Sequence, residues 1–288
     1  MKKVGFIGLG TMGGPMAENL LKGGYQVFAH DINPDLTSAL SAKGATIVKN
    51  PAEAASRSEV AMTMLPDAPE VEAVYLGENG LLSGAHPGLI LIDSSTIHPG
   101  ATQQIGQAVF KAGLQMIDAP VGGSPVNAVA GNLIMLVGGE KSTMEACRDI
   151  LETVGQQVLY CGPLGSGEAT KLANNLVTML LAGTVAEAYT LAQVAGVDLD
   201  NLIALQKINI PRVFKSMLDR FKANDYSPGF KTTLAHKDLR LVLQMANTYN
   251  VPVPLGSAAK ELFQMAIARG YGELNTMSPR LLLEPKAD

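Results

Sequence analysis

The chain has 288 residues, of which 47% are apolar and 17% are charged, and its formal net charge is −4 at pH 7. This composition excludes a disordered chain, and the length favours two domains over one compact core. A slightly acidic balance without a long basic run argues against nucleic acid or an anionic membrane as a partner. The two cysteines, Cys147 and Cys161, have neither metal-ligand nor redox-motif spacing, so we expect a reduced, cytoplasmic protein without a bound metal.

Short apolar runs alternate with helical patterns in the first half of the chain. Strands are predicted at residues 4–9, 27–31, 45–48, 60–65, 89–95, 116–120 and 133–139, and a first helix at 16–24. Because β-rich runs separated by helices form right-handed βαβ units, this order predicts an α/β domain with a mostly parallel sheet.

The second half, from about residue 163, has helical periodicity throughout. Its first long helix is predicted at 167–196, and breaks are predicted at Pro211, Pro228, Pro252 and Pro254. We expect an α/β domain at 1–162 and an all-helical domain at 163–288, with a functional site between them.

Two apolar stretches could be mistaken for targeting or membrane segments. The N-terminal run is broken by glycines and has no convincing cleavage site, so no signal peptide is predicted. Residues 177–197 are interrupted by Glu187 and Gln193, which favours a buried helix over a membrane span.

The stretch GFIGLGTMGGPMAENL at 5–20 contains the spacing G-x-G-x-x-G at Gly8, Gly10 and Gly13. These glycines follow a predicted strand and open a predicted helix, which is the context in which the pattern binds a dinucleotide. Gly8 allows a tight turn, Gly10 lets the backbone approach a pyrophosphate, and Gly13 lets helix and strand pack closely. Free N–H groups at the helix N-terminus favour the phosphates. The predicted cofactor contacts in this loop are Gly8, Gly10, Thr11, Met12 and Gly13.

The second predicted strand ends at Asp31, whose carboxylate can accept hydrogen bonds from the ribose hydroxyls of an adenosine. A carboxylate here also repels a 2′-phosphate, and no arginine or lysine follows closely. The pattern therefore predicts NAD as the cofactor and makes NADP the less favoured one. The alternative is that Asp31 only begins a turn before Pro34.

Three polar residues lie in the first turns of the long helix predicted at 167–196, namely Lys171, Asn174 and Asn175. Lys171 and Asn175 are four positions apart, so they share one face of the helix. Asparagine is a mediocre helix former, which favours a functional interpretation. A lysine whose pKa is lowered by partial burial can protonate a carbonyl oxygen during hydride transfer, while an asparagine holds the substrate. The alternative is a solvated helix face.

Six segments together resemble the β-hydroxyacid dehydrogenase family, which includes 3-hydroxyisobutyrate dehydrogenases and semialdehyde reductases. They are GFIGLGTMGGPMAENL at 5–20, MLP at 64–66, IDSSTIHP at 92–99, DAPVGGSPVNAVAGNLIMLVGG at 118–139, GSGEATKLANN at 165–175 and GFKTTLAHKDLRLVL at 229–243. They follow the family's order and spacing over essentially the whole chain. The resemblance implies a Rossmann domain, with a doubly wound, mostly parallel sheet, followed by an all-α domain.

The resemblance also implies roles for individual residues. Lys171 is the expected general acid/base, and Asn174 and Asn175 are the expected substrate contacts on the same helix. The loop at 121–124 is expected to contact the acidic group of the substrate. Further cofactor contacts are expected at Leu65, Pro66, Thr96 and Lys237.

The loop at 121–124 departs from the family pattern. Most members have DAPVSGG, with a serine that hydrogen-bonds the substrate carboxylate, whereas this chain has Gly122 there and Ser124 two positions later. Backbone N–H groups of a glycine pair can still bind an anion, and Ser124 can supply the hydroxyl. The chain also resembles the sulfolactaldehyde reductase branch, but that branch has an arginine where this chain has Gly123. Without a bidentate guanidinium, a small carboxylated aldehyde is the predicted substrate class.

These features predict an NAD-dependent oxidoreductase that interconverts a small aldehyde acid, a semialdehyde, and its hydroxy acid. Two alternatives stay open, a sulfolactaldehyde reductase and a non-catalytic nucleotide-binding scaffold on the same fold. The presence of Lys171 argues against the scaffold and against imine reduction, in which relatives have another residue in place of the lysine. We expect a homodimer or homotetramer formed through the helical domain, and no nucleic-acid or membrane partner.

Overall fold

The computed structural model describes residues 2–283. The chain divides into two compact units between Leu176 and Val177. This division lies inside a long helix, Ser166–Val194, and not at residue 162, where the sequence pattern changes. The reason is that the first turns of this helix are hydrogen-bonded to the sheet of the first unit, through Asp118.

One sheet of nine strands forms the centre of the first unit. The strands are β1 Lys3–Ile7, β2 Gln26–His30, β3 Thr46–Ile47, β4 Val60–Thr63, β5 Ile90–Asp93, β6 Gln115–Asp118, β7 Val121–Gly122, β8 Leu133–Gly139 and β9 Gly155–Gly162. Their order is β3-β2-β1-β4-β5-β6-β8-β7, with β9 paired to β8. Pairs within β1 to β6 are parallel, and β8 is antiparallel to both β6 and β7. The predicted doubly wound, mostly parallel sheet is therefore confirmed.

Helices connect the strands and make up most of the second unit. They are α1 Gly13–Lys22, α2 Pro34–Ser41, α3 Pro51–Arg57, α4 Ala68–Leu76, α5 Pro99–Lys111, α6 Pro125–Ala130, α7 Lys141–Ala146, α8 Arg148–Val154, α9 Ser166–Val194, α10 Leu199–Ala223, α11 Thr232–Tyr249, α12 Pro254–Ala268 and α13 Arg280–Leu283. Asn33, Asn50 and Asp67 accept N-cap hydrogen bonds at α2, α3 and α4, each with a proline in the first turn. These residues start the helices because they satisfy backbone donors that have no partner within the helix.

Alternate residues of each central strand pack on opposite faces of the sheet. Val4 and Phe6 of β1 belong to one buried cluster with residues of α1 and α8. Ile7 of the same strand belongs to a second cluster, with residues of α3 and α5. Because side chains alternate along a strand, helices cover both faces, which explains why the central strands are nearly continuous apolar runs.

Pro211 and strand β9 also differ from the sequence prediction. Pro211 does not end a helix, since α10 continues through it from Leu199 to Ala223. A proline removes one hydrogen bond from a long helix and bends it, and the remaining bonds maintain the helix. Strand β9 was not predicted, because Gln156 and Gln157 are exposed and no continuous apolar run marks the strand.

Helix α9 is, within residues 2–283, the helix that is long and apolar enough to cross a membrane, judged by length and composition alone. The sequence pattern predicts a buried helix here, and this is wrong for the described residues, because only 11% of the apolar window of α9 is buried. In the second unit, Glu187 of α9 accepts hydrogen bonds from the N–H groups of Leu255 and Gly256 at the start of α12, at 2.6 and 3.0 Å. This carboxylate therefore caps α12.

Candidate functional site

The glycine loop joins β1 to α1 in a conformation that needs glycine. Gly8 has φ +92°, and a Cβ there would overlap the carbonyl of Met64 in the segment after β4. A Cβ at Gly13 would overlap the carbonyl oxygen of Gly8. A Cβ at Gly10 would meet no atom within 4 Å. Two glycines are thus required by the turn itself, whereas Gly10 faces open space.

Asp31 lies at the end of β2, beside this loop. One oxygen of its carboxylate accepts a hydrogen bond from the N–H of Leu9 at 2.6 Å, and the other accepts from the N–H of Asn33 at 2.8 Å. The contact with Asn33, two residues later, agrees with the alternative interpretation of Asp31 as a residue that begins a turn. The Leu9 contact goes further, because it holds the carboxylate next to the glycine loop.

A cavity of about 580 Å³ opens at the carboxyl ends of β1, β2 and β4. Most of the predicted cofactor residues line it: Gly8, Gly10, Thr11, Met12, Gly13, Asp31, Leu65 and Pro66. Residues not predicted from sequence also line it, among them His30, Ile32 and Glu70. No lysine or arginine is among the described residues of its wall. The cavity lies where the strand order reverses, next to β1, which is where doubly wound sheets bind nucleotides.

A buried hydrogen-bond network connects the segments that follow β4 and β5. The N–H of Leu65 donates to Ser95 Oγ at 2.9 Å, and Ser95 Oγ donates to Asp93 Oδ1 at 2.6 Å. Thr63 Oγ1 donates to the same carboxylate oxygen at 2.8 Å. Thr96, one of the predicted cofactor contacts, directly follows Ser95 and does not line the cavity at the glycine loop. Its backbone position is therefore set by Asp93 through Ser95.

Asp118, at the end of β6, holds the start of α9. Its Oδ1 accepts from the N–H of Gly165 at 2.8 Å, and its Oδ2 accepts from the N–H of Glu168 at 2.9 Å. Burial raises the pKa of this carboxyl, and the hydrogen bonds from Gly165 and Glu168 oppose the increase. The chain runs from Asp118 into β7 within three residues, so the start of α9 and the loop at 121–124 have a common anchor.

Glu168, in the first turn of α9, is fully buried. Its Oε2 accepts a hydrogen bond from the N–H of Ile97 at 3.1 Å. Among residues 2–283, neither its Oε1 nor Asp93 Oδ2 has a hydrogen-bond partner. Burial first, and the nearby charge of Asp93 second, raise the pKa of Glu168 to about 9. This carboxyl is therefore neutral at pH 7.

Lys171 follows Glu168 by three positions on α9, so the two side chains lie on one face of the helix. Lys171 is half-buried, and this burial lowers the pKa of its ammonium group, while the charge of Glu168 raises it. Asn175 is also half-buried and Asn174 is exposed, both further along the same helix. The structure thus places all three predicted residues at the start of α9, in the first unit.

The loop at 121–124 follows the short strand β7. Gly122 pairs with Ile134 of β8, and Gly123 has φ +130°. The Ser124 hydroxyl, predicted to face substrate, donates to Asn127 Oδ1 at 2.7 Å, and the same oxygen accepts from the Ser124 N–H at 2.9 Å. Ser124 is exposed and forms a capping box at α6. Its lone pairs stay available, but its proton is directed to Asn127.

Lys237 is on α11, in the second unit, and its ammonium group pairs with the carboxylate of the neighbouring Asp238 at 2.9 Å. Both side chains are half exposed, so this ion pair contributes little to stability. The cofactor contact predicted for Lys237 stays a prediction.

Sequence reasoning did not identify Glu168 or Ser95 as functional positions, and for Asp93 at the end of its strand it left a structural and a functional role open. A usable signal existed for Glu168, because an acidic residue three positions before a lysine in an apolar helix shares its face. Nothing comparable marks Ser95, whose importance depends on contacts with strands distant in the chain.

Comparisons with known proteins agree with this geometry. Residues 3–162 match the family described as the NAD binding domain of 6-phosphogluconate dehydrogenase. Residues 165–279 match the family described as NAD-binding of NADP-dependent 3-hydroxyisobutyrate dehydrogenase.

Two relatives have similar levels of identity to the chain. The mitochondrial 3-hydroxyisobutyrate dehydrogenase of Mus musculus is 37% identical over 279 residues, which cover 94% of this chain and 83% of the relative. The 3-sulfolactaldehyde reductase of Escherichia coli (strain K12) is 38% identical over 277 residues, covering 94% and 92%. Among solved structures, Mycobacterium tuberculosis 3-hydroxyisobutyrate dehydrogenase with L-serine superimposes with a TM-score of 0.70 at 29% identity, covering 99% of this chain and 100% of that one.

The family matches extend over both halves of the chain, and the identity to the two named relatives is well above that of chance similarity. Together with the glycine loop and Asp31 at the switch point of the sheet, they establish an enzyme with an NAD(P) site. The chain belongs to the β-hydroxyacid dehydrogenase family of NAD-dependent oxidoreductases.

Proposed function

We propose that the protein reduces a small carboxylated aldehyde to its hydroxy acid with NADH, and catalyses the reverse oxidation, with Lys171 as general acid/base. The observation that carries this proposal is the environment of Lys171. It is a half-buried lysine whose pKa burial lowers, on a helix anchored to the carboxyl end of β6. A lysine in this setting exchanges a proton near neutral pH more readily than an exposed one.

The residues at the glycine loop fit a dinucleotide. The open space at Gly10 admits a pyrophosphate against the backbone, and the N-terminus of α1 supplies N–H groups and partial positive charge. Asp31, held by Leu9, offers carboxylate oxygens for ribose hydroxyls. A wall with Asp31 and Glu70 and without a described cation disfavours a 2′-phosphate, which supports NAD over NADP.

Reduction of an aldehyde adds a hydride to carbon and a proton to oxygen. The nicotinamide supplies the hydride when it is bound. Lys171 donates the proton to the developing alkoxide, and in the oxidation direction its neutral amine removes the hydroxyl proton. Asn175, one turn further along the same face, holds the substrate oxygen by donating a hydrogen bond.

The loop at 121–124 supports a carboxylate as the acidic group. Gly123 has φ +130°, and a Cβ there would lie 3.0 Å from Leu133 Cδ2 and 3.1 Å from Asn127 Cβ. An arginine at position 123 would therefore require another loop conformation, and the loop of this chain is not built to hold a guanidinium there. Backbone N–H groups of Gly122 and Gly123, with Asn174, are the groups we assign to carboxylate binding.

Reduction of 3-sulfolactaldehyde is the second candidate, and the 38% identity to the Escherichia coli reductase favours it. The two candidates differ in the size and shape of the acidic group, since a sulfonate has three acceptor oxygens and a carboxylate has two, while both carry one negative charge. A steady-state screen with NADH and NADPH therefore includes methylmalonate, tartronate and succinic semialdehydes, glyoxylate and sulfolactaldehyde. Preferred turnover of sulfolactaldehyde would contradict the carboxylate assignment.

The test of the mechanism is Lys171→Ala, with Lys111→Ala as control. Lys111 is an exposed lysine at the C-terminal end of α5. This end of the helix lies on the side of the sheet opposite the carboxyl ends of the strands. We expect Lys171→Ala to lower kcat by about 10²–10⁴-fold with NADH binding preserved, and the control to be unchanged. Near wild-type turnover of Lys171→Ala would refute the mechanism.

We also propose a homodimer or homotetramer, in the cytoplasm. The buried apolar cluster of the second unit contains only Leu191, Ala246, Val251 and Val253 among the described residues. Large apolar side chains of α9 and α10 are exposed, including Leu176, Met179, Leu205 and Ile208. Apolar surface of this extent is unfavourable in water, and contact with the helical half of a second copy would bury it. Light scattering of detergent-free protein tests this, and a monomer or a membrane-pelleted protein would contradict it.

A further inference from the structure

A buried carboxyl group connects the segment after β5 to the turn of α9 that carries Lys171. Glu168 has no exposed surface, and its Oε2 accepts the hydrogen bond from Ile97 N–H at 3.1 Å. Ile97 follows Thr96, and Lys171 follows Glu168 by one helical turn. The backbone of Glu168 is itself held by Asp118 Oδ2 at 2.9 Å. One side chain thus joins two segments that sequence separates by about 70 residues.

Three charged or titratable groups face Glu168 from the elements around it. Asp93 projects from the end of β5, Asp118 from the end of β6, and Lys171 from α9 itself. The two carboxylates disfavour ionisation of Glu168, and the ammonium group favours it. Burial and the nearby Asp93 and Asp118 disfavour a further negative charge, so Glu168 retains its proton, whereas oxygens of Asp93 and Asp118 accept N–H and O–H donors.

From this juxtaposition we propose that Glu168 is a positioning residue with two separable actions. In the first action, the side-chain oxygen Oε2 of Glu168 fixes the Thr96–Ile97 backbone for the cofactor. In the second action, the negative charge of Glu168, when this carboxyl ionises, keeps Lys171 protonated. The second action rests on the proposed role of Lys171, and the first does not. Neither action is required of this position by the helix, since a side chain in the first turn of α9 does not need to be acidic.

The sign of the second action follows from the interaction of the two groups. When Glu168 ionises, its negative charge stabilises the ammonium form of Lys171 and raises the pKa of Lys171. Reduction needs the ammonium form. The ionising carboxyl therefore extends the reductive activity to higher pH, and removing it moves the alkaline limb of the reduction profile to lower pH.

Two substitutions separate the actions. Glu168→Gln keeps an oxygen for Ile97 N–H and cannot ionise, whereas Glu168→Ala loses both features. Glu187→Gln is the matched control, because Glu187 is a second carboxylate of α9 that accepts backbone N–H groups, about 28 Å further along the helix than Glu168. Measurements are kcat and kcat/KM for aldehyde reduction between pH 6 and 10, and the Kd of NADH by fluorescence.

We expect Glu168→Gln to retain kcat at pH 7 within about threefold and to move the alkaline limb down by about one pH unit. Glu168→Ala should show the same shift and, in addition, an NADH Kd raised by on the order of tenfold. Glu187→Gln should change neither the alkaline limb nor the Kd of NADH. An unshifted limb in Glu168→Gln would overturn the charge action, and an unchanged NADH Kd in Glu168→Ala would overturn the positioning action.

The outcomes are distinct from failure of the proposed function. If Lys171→Ala keeps its turnover, the general acid is another group, while the NADH Kd of Glu168→Ala still decides the positioning action. If Lys171→Ala is inactive and the Glu168 variants behave as wild type, the proposed function stands and this inference fails. If Glu168→Ala does not fold, Glu168→Gln provides the pH test, and Glu168→Leu replaces alanine in the binding test.

Discussion

The carboxylate of Asp31 accepts a hydrogen bond from the backbone N–H of Leu9 at 2.6 Å, which joins the end of β2 to the glycine loop. This contact orients an anion at the rim of the cavity before any ligand is present. Preorganisation of this kind lowers the entropic cost of binding, because the carboxylate does not have to be immobilised by the ribose.

Asp31→Asn tests the cofactor preference. The amide keeps one oxygen for the Leu9 N–H but loses the charge that repels a 2′-phosphate. We expect the KM for NADH to rise on the order of tenfold and the ratio of NADPH to NADH efficiency to increase. Asp35→Asn, an exposed position in the first turn of α2, is the control. An unchanged ratio in Asp31→Asn would remove Asp31 from the assignment of NAD preference.

Gly10→Ala and Gly13→Ala form a matched pair within the glycine loop. A methyl at Gly10 meets no atom within 4 Å, so the fold should be unaffected while NADH binding weakens by at least about tenfold. A methyl at Gly13 collides with the Gly8 carbonyl, so this variant should unfold at a lower temperature. Thermal melts and NADH titrations separate the two effects. Normal NADH affinity in Gly10→Ala would show that no phosphate contacts that backbone.

Gly122→Ser and Gly123→Ala test the loop at 121–124. A Cβ at Gly122 would lie 3.5 Å from Ile134 Cβ, an ordinary contact, so the serine common in the family fits. Its hydroxyl should lower the KM for the aldehyde acid about two- to tenfold, the value of one hydrogen bond. Gly123→Ala forces φ +130° on alanine and should lower Tm by a few degrees. A higher KM in Gly122→Ser would place the acidic group elsewhere.

The stability of the protein should depend on pH through Glu168. Its pKa is about 9 when folded and near the ordinary value of 4.5 when unfolded, so between these pH values the folded state holds one extra proton. The stability that this proton provides is complete below about pH 4.5 and is lost as pH rises through about 9. The Tm of Glu168→Gln minus the Tm of wild type should therefore increase as the pH rises from 5 to 9. A Tm difference that stays constant over this range would show that Glu168 is ionised when folded.

The sequence by itself determined the parts of this protein that depend on local patterns. The alternation of apolar strands and helices specifies the mostly parallel sheet, because strand and helix periods are local properties of the chain. Gly8, Gly10 and Gly13 specify the tight turn, and Asp31 follows at the end of the next strand. Pro211 shows the limit of such patterns, because α10 as a whole maintains a helix that the single residue disfavours.

Only the tertiary structure decided which polar side chains are buried and what they touch. Ser124 was expected to face the substrate, and its proton is instead directed to Asn127. Glu168 has the sequence features of an ordinary charged helix residue, yet burial and the charge of Asp93 raise its pKa to about 9, against the opposing hydrogen bond from Ile97 N–H. The physical reason is that desolvation and hydrogen bonding depend on groups far apart in the chain, which the sequence brings together only by folding.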